Sequence, residues 1–336
     1  MHSNSDSKVL IRGKENKGII EFAHKYSPST GGRGLGGGGV ELLQNKKGVA
    51  LVVTLLALVL ITAMVVEFSY GVYTSTNSLY NWRDSQRLSV MANSGVSVSV
   101  RSLSDMLNMQ NFSYPGVVEI PVENPFEDFQ GMISVRIEDE NSKFNVNSII
   151  SSNGLLNETA FDSFKRLLNL LSIEEEIADR VADWIDPDKE ARIPDSEVNV
   201  RNSYLSSTDE LLLINGISRE NYDKLVPYIT VYGNGLININ GAGKPVLRCM
   251  AEGITEELAQ RIIDYRNFTP FEKQEHVLRV AGFETIIGQS LMGRITVKGK
   301  DFHIRSTASS GGIKRIIEAV FDMSGSHGLI TYWKEY

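Results

Sequence analysis

Between Val49 and Val66 the chain runs VALVVTLLALVLITAMVV, eighteen residues without charge or proline, directly after Lys46-Lys47-Gly48. At about 1.5 Å of rise per helical residue this run spans roughly 27 Å, enough to cross the apolar core of a bilayer. Only Thr54 and Thr62 interrupt it, and both hydroxyls can bond back to their own helix. A buried helix of a soluble protein would show polar interruptions at helical spacing. A cleaved secretory signal would be shorter and end in small residues, whereas this run ends in Val65-Val66-Glu67-Phe68. The basic flank is expected to stay cytoplasmic, which sends the long remainder of the chain to the far side of the membrane. Beyond the apolar run no proline occurs until after Met109, and Phe68, Val72, Leu79, Trp82, Leu88 and Val96 recur at near-helical spacing. One helix from Val49 to about Leu107 is therefore predicted, apolar in its first third (a span over 49–69) and amphipathic in the rest. On this pattern alone, a plain single-span anchor is an alternative.

The hydrophobic period changes several times after that helix. A loop is expected around Tyr114-Pro115-Gly116 and from Pro121 to Pro125, and then Ile133-Ser134-Val135-Arg136-Ile137 alternates like a half-buried strand. From Ile150 to about Leu225 the period is helical, carried by Phe161, Phe164, Leu167, Leu168 and Leu171, then Ile173, Ile177, Val181 and Trp184. Strand signals return at 228–239, helices at 244–282, and strands at 295–297 and 302–306. Gly311-Gly312 looks like a hairpin turn leading into a last strand at 313–321. Strands at the start, middle and end with helices between them predict an α+β chain in which a helical domain interrupts a small antiparallel sheet. The predicted boundaries are a leader at 1–48, the long helix at 49–110, sheet segments at 111–149, 228–240 and 290–323, helical segments at 150–227 and 241–289, and a tail at 324–336.

Composition narrows the partners. After Gly48 the chain holds 26 Lys and Arg against 37 Asp and Glu, a net charge of −11, which disfavours nucleic acid and anionic lipid. The single cysteine, Cys249, allows no intrachain disulfide and reads as a small core residue. The histidines at 2, 24, 276, 303 and 327 are scattered and form no metal-binding or catalytic pattern. No constellation points to an enzyme.

A basic dipeptide, a glycine and a long helix that is first apolar and then amphipathic resemble a type IV pilin-like precursor. The resemblance implies that prepilin peptidase cuts between Gly48 and Val49, leaving the apolar helix on the mature protein. Most such proteins carry glutamate at the fifth residue after the cut, where this chain has Val53. That departure, with the helical insertion, resembles the minor pseudopilin K family of the type II secretion system. Further stretches carry the resemblance: Arg83-Asp84-Ser85 with Met91-Ala92-Asn93-Ser94-Gly95-Val96, IEDENSKFNVNSI (137–149), DWIDPDKE (183–190), STDELLLINGI (207–217), PYITVYGNGLININGA (227–242) and FHIRSTASSGGIKRIIEAVF (302–321). The family implies a pseudopilin sheet packed on the N-terminal helix, an inserted α-domain and a place at the tip of the pseudopilus. It also implies a single-pass inner-membrane protein with a cytoplasmic N-terminus and a periplasmic head. The partners implied are other minor pseudopilins, the major pseudopilin, the inner-membrane secretion platform and prepilin peptidase, with the exoprotein or the outer-membrane secretin as further candidates.

Two constellations in the insertion carry chemistry. Ile214-Asn215-Gly216-Ile217, Ala251-Glu252-Gly253-Ile254 and Val280-Ala281-Gly282-Phe283 resemble the hairpins of helix-hairpin-helix DNA-binding repeats, which makes membrane-anchored DNA uptake the rival function. Those repeats need an electropositive surface, and residues 208–285 hold 8 Lys and Arg against 11 Asp and Glu. A helical module for protein contacts is therefore favoured, with nucleic acid not among the partners. The second constellation is Asp186, Asp188, Glu190, Asp195 and Glu197, in a stretch (174–197) with ten acidic and three basic residues. Pro187 ends the helix before it, so the carboxylates enter a loop able to gather the oxygen ligands calcium prefers. A solvated acidic face is the plainer reading. The family resemblance implies calcium, with Asp186, Asp188 and Glu197 as the matching ligands, but Ser206 stands where an aspartate is common.

Forty-seven residues before a prepilin glycine is long, and the tract from Gly31 to Gly39 would be costly to order. Because glycine codons are guanine-rich, this tract resembles a ribosome-binding message. Translation is therefore expected to start at Val40, Leu42 or Leu43, giving a short leader that ends in Gln44-Asn45-Lys46-Lys47-Gly48.

Overall fold

A computed structural model describes residues 46–113, 117–122, 131–198, 200–325 and 328–336. The expected leader up to residue 45, the three candidate start positions, His2, His24 and His327, and the proline-bearing loop segments at 114–116 and 123–130 lie outside the described residues.

Helix α1 (Lys46–Met109) is continuous over 64 residues, as the absence of proline predicts. Its apolar run is exposed throughout, Val49 to Val66 included, and among the described residues it is the one helix long and apolar enough to cross a membrane. The two polar interruptions are satisfied within the helix: the Thr54 hydroxyl donates to Leu51 O, and that of Thr62 to Leu58 O and Val59 O. Among the described residues, those up to Phe68 belong to one unit and Ser69–Tyr336 to the other.

In the second unit, strands β1 (Val117–Val122) and β2 (Met132–Asp139) start an antiparallel sheet. After β2 the chain builds a helical body: β3 (Phe144–Asn145), α2 (Glu158–Leu170), α3 (Glu176–Ile185), α4 (Arg219–Leu225), β4 (Ile229–Thr230), β5 (Ile237–Asn238), α5 (Lys244–Cys249), α6 (Glu256–Phe268), α7 (Ile286–Ser290) and β6 (Ile295–Thr296). It then returns to the sheet through β7 (Asp301–Ser310), β8 (Ile313–Asp322) and β9 (Leu329–Glu335), giving the order β1-β2-β7-β8-β9. The Gly311-Gly312 hairpin closes as predicted, with φ of +54° and +85°.

The α1 positions Leu88, Met91, Ala92, Val96, Leu103 and Leu107 form one apolar stripe. It is buried against the inward residues of the alternating strands, Ile133, Val135 and Ile137 of β2, Ile304 and Ala308 of β7, and Ile317 and Ala319 of β8. Gly95 lets the helix close on the sheet, since a Cβ there would lie 2.4 Å from Ser306 Oγ and 3.0 Å from Val135 Cγ2. A second core fills the helical body around Phe164, Leu167, Leu168, Val181, Leu211, Phe271 and Phe283.

The sheet segments differ from expectation at three places. The 228–240 stretch does not join the large sheet: β4 pairs in parallel with β3 and β5 with β6, each over two residues. Gly233 and Gly235, at φ of +87° and +81°, break that stretch, and Ile229, Thr230, Ile237 and Asn238 are all buried. A strand buried on both faces cannot alternate like one with a solvated side. The helical body also begins at about residue 140, because Phe144, Val146 and Ile149 belong to its core, and β6 near 295 belongs to it as well. The expected tail at 324–336 is instead a fifth strand, LITYWKE, rich in the β-branched and aromatic residues that suit an edge, and it meets β8 across an irregularity at Val320/Phe321.

A buried polar hub joins the two cores. Asp139, at the end of β2, accepts from Asn238 Nδ2 (2.6 Å), Asn141 N (2.9 Å) and Ser113 Oγ (3.3 Å). Asn141 Oδ1 accepts from the Lys300 and Asp301 amides, and its Nδ2 donates to Asp301. Asn145 and Asn147 hold the β4 segment through its carbonyls at Tyr232, Gly233 and Val231. The amide-rich IEDENSKFNVNSI segment is thus a set of caps for buried backbone, which apolar residues could not supply.

Candidate functional site

The acidic cluster is built by the end of α3. Asp186 caps that helix with its backbone already extended (φ −68°, ψ 154°), as the following Pro187 requires. Asp183 and Asp186 are three apart and therefore project from one face, and the returning loop brings Glu197 beside them. Asp183, Asp186 and Glu197 each place a carboxylate oxygen within 4.8 Å of the others. Of the three residues expected, Asp186 and Glu197 are gathered and Asp188 is not: its Oδ1 accepts from Glu190 N at 2.8 Å. Ser206 is also elsewhere, accepting from Arg201 Nη1 and donating its amide to Glu210. Sequence reasoning missed Asp183, whose helical spacing from Asp186 was the available signal, and it missed Arg192 and Ser196.

Arg192 bridges Asp183 and Asp186 through one guanidinium nitrogen, and its backbone amide donates to Asp183 at 2.9 Å. Ser196 Oγ also donates to Asp183. Two oxygens are left over, since Asp186 Oδ1 and Glu197 Oε1 are buried without a hydrogen-bond partner. Burial, followed by the neighbouring carboxylates, raises the pKa of both Asp186 and Glu197. Arg192 thus leaves the cluster short of positive charge on one side. The donor set fits a hard cation such as calcium: carboxylate oxygens only, two of them unpartnered, on a loop of adaptable geometry.

The three apolar-x-glycine-apolar turns share one geometry. Ile217 N donates to Ile214 O, Ile254 N to Ala251 O and Phe283 N to Val280 O, at 3.2, 3.1 and 2.9 Å. Most of their basic neighbours are already engaged. Arg219 pairs with Asp223, Lys224 with Glu220, Lys244 and Arg248 with Glu256, and Arg261 with Glu257, while Arg266 donates to the Ile239 and Ala242 carbonyls. Among the described residues, these turns offer no unpaired basic stripe of the kind phosphates need.

At the helix start, Gly48, Val49 and Val53 lie in continuous helix, with Val49 and Val53 exposed. His303 lies 3.9 Å from Glu138, whose carboxyl is held well below its usual range by His303 and Lys143. Lys143 also pairs with Glu140, so this second acidic group is already neutralised.

Comparison with known proteins places the chain among similar sequences and folds. Two sequence models described as type II secretion system (T2SS), protein K, match residues 142–234 and 237–298. The type II secretion system protein K of Pseudomonas aeruginosa is 31% identical over 171 residues, covering 45% of this chain and 50% of that protein. The protein of the same description from Aeromonas hydrophila is 25% identical over 225 residues, covering 57% of this chain and 66% of its own. The chain thus spans about half to two thirds of the length of these relatives. A chain in the crystal structure of the GspK-GspI-GspJ complex from enterotoxigenic Escherichia coli shares the fold, with a TM-score of 0.61 at 19% identity over 78% of this chain and 99% of that one.

Proposed function

Because the chain belongs to the type II secretion system protein K family, we propose that it is a minor pseudopilin at the tip of the secretion pseudopilus, where it caps and initiates the fibre. The observation that carries this reading is the helical body inserted between β2 and β7, on a helix whose fifth residue after Gly48 is Val53. A carboxylate at that position would serve the amine of a subunit beneath; valine leaves the helix free of that need. The exposed apolar run of α1 provides the surface along which pseudopilin helices coil, and the inserted body is bulk that leaves no room for a subunit above. The GspK-GspI-GspJ complex supports other minor pseudopilins as the first partners. The role is structural rather than enzymatic, with the N-terminus cytoplasmic, one span in the inner membrane and the head in the periplasm.

Immunogold labelling of assembled fibres tests the assignment. Label confined to fibre ends is expected, and label along the shaft would overturn it. Val53→Glu alone is expected to leave the label at the ends, because the inserted body still blocks addition above.

A calcium ion at Asp183, Asp186 and Glu197 is the second part of the proposal, supported by the two unpartnered oxygens. Bound there, it would tie the loop after α3 to that helix by compensating carboxylates that Arg192 neutralises only in part.

A further inference from the structure

We propose that the pocket bounded by α3, by the loop bearing Asp195, Ser196 and Val198, and by the turn at Leu213-Ile214-Asn215 recognises a single carboxylate presented on an apolar stem by a partner polypeptide. The cavity measures about 390 Å³. It lies beside the carboxylate cluster and shares only Ser196 with it, and the proposal does not depend on a place at the pseudopilus tip.

Arg180 and Trp184 stand one turn apart on α3, so both project from one face, and both line the cavity. Arg180 spends Nη2 on Glu176 at 2.7 Å, while its Nη1 is buried with no partner. Trp184 is 7% exposed, and its Nε1 is likewise buried with no partner. Folded proteins rarely leave two donors orphaned in one place. Both groups only donate, so what completes them must accept.

Charge selects the acceptor. A guanidinium prefers an anion of planar, two-oxygen geometry. The surrounding stretch, with ten acidic and three basic residues over 174–197, repels a polyanion while Arg180 can still hold one carboxylate. The rest of the lining describes what carries that carboxylate. Val200 and Ile214 supply apolar wall, and Val198 and Leu213 are 63% and 70% exposed. Asp195 adds an acceptor for a peptide N–H. Gly216 secures the arrangement: at φ +89° a Cβ would sit 3.3 Å from Arg180 Cδ and Nε, so glycine leaves room for the guanidinium stem.

The test uses the full chain in detergent and follows the indole N–H resonance of Trp184, identified by its loss in Trp184→Phe. The probes are N-acetyl-leucine, which presents a main-chain carboxylate, N-acetyl-leucyl-glutamic acid amide, which presents a side-chain carboxylate, N-acetyl-leucinamide, which presents none, and inorganic phosphate. A saturable shift is expected with the carboxylate probes, and the tighter of the two distinguishes a chain terminus from an acidic side chain. Binding of the neutral amide is expected to be about tenfold weaker, the usual effect of losing a charge-assisted hydrogen bond. Arg180→Met should weaken the carboxylate probes by about tenfold at an unchanged melting temperature. Should that variant unfold, Arg180→Lys is expected to weaken binding by a smaller factor. Absence of a saturable shift, equal binding of the amide, indifference to both Arg180 variants, or tighter binding of phosphate would each overturn the proposal.

Discussion

Substituting Gly95 by alanine tests the packing of α1 on the sheet. The added methyl would lie 2.4 Å from Ser306 Oγ and 3.0 Å from Val135 Cγ2, and Ser306 and Val135 are fixed by β7 and β2, so helix and sheet must separate slightly. Overpacking of this kind costs about 1–3 kcal/mol, while alanine in place of glycine inside a helix returns about 1 kcal/mol. The net expectation is a loss of about 1 kcal/mol, or roughly 3 °C in melting temperature for a domain of this size. Ser306 adds a second lever, because its hydroxyl is fully buried and has no partner. Ser306→Ala should therefore be neutral or slightly stabilising. In the double substitution the closest contact disappears, and the cost of Gly95→Ala should fall by about half or more, a coupling that a double-mutant cycle reads directly. Thermal melts of the full chain in detergent, followed by circular dichroism, supply the four values. A Gly95→Ala protein as stable as wild type, or additive losses in the double substitution, would refute the idea that Gly95 sets the helix-to-sheet distance.

Stability should also depend on pH through the buried hub. Burial pushes Asp139 and Asp301 from 3.8 up to about 6, so between these values the folded state holds protons that the unfolded chain has released. Their contribution to stability is therefore present in full below about pH 4 and is lost as pH rises through about 6, at up to roughly 1.4 kcal/mol per group for each pH unit crossed; Asp139→Asn should flatten the corresponding part of a pH series of melts. Chelation should lower the melting temperature if the acidic cluster holds calcium, because binding at a hundredfold excess over the dissociation constant contributes about 2.7 kcal/mol of stability that is then lost. Asp186→Asn combined with Glu197→Gln should remove that response, and identical melts with and without chelator would reject the ion. N-terminal sequencing of the membrane form should find Val49 first, and a mature chain beginning after Ala63 or retaining Met1 would contradict processing at Gly48.

Much of this organisation is legible in the sequence, for reasons tied to length and period. The long helix is readable because it lacks proline and because its apolar stripe persists from Leu88 to Leu107. Strands β2 and β7 are readable because one face is buried and the other solvated, so their residues alternate. The two-residue ladders of β4 and β5 are too short for any period, and burial on both faces removes alternation, which is why 228–240 reads as part of the large sheet. The edge strand β9 is exposed on both faces apart from Tyr332 and so carries no pattern either. At the acidic cluster the residue types and the proline stop are visible, but which carboxylates converge depends on the path of the loop. Asp188 turns aside to cap Glu190 while Asp183 reaches in from the helix, and only tertiary structure decides between them.

The position of the insertion has a consequence for how the chain must fold. Asp139 and Phe302 face each other across the β2–β7 ladder, yet the whole helical body lies between them in sequence. The central pairing of the sheet is therefore among its most non-local, and closing a loop of that size carries an entropy cost before any strand contact forms. The helical body, whose contacts are more local, can fold first and bring its two ends together at the Asp139-Asn141-Asp301 hub. The sheet would then zip from an already closed junction, a slow, late step of the kind expected when distant segments must pair. On this route the inserted body is the template on which the pilin-like half completes itself.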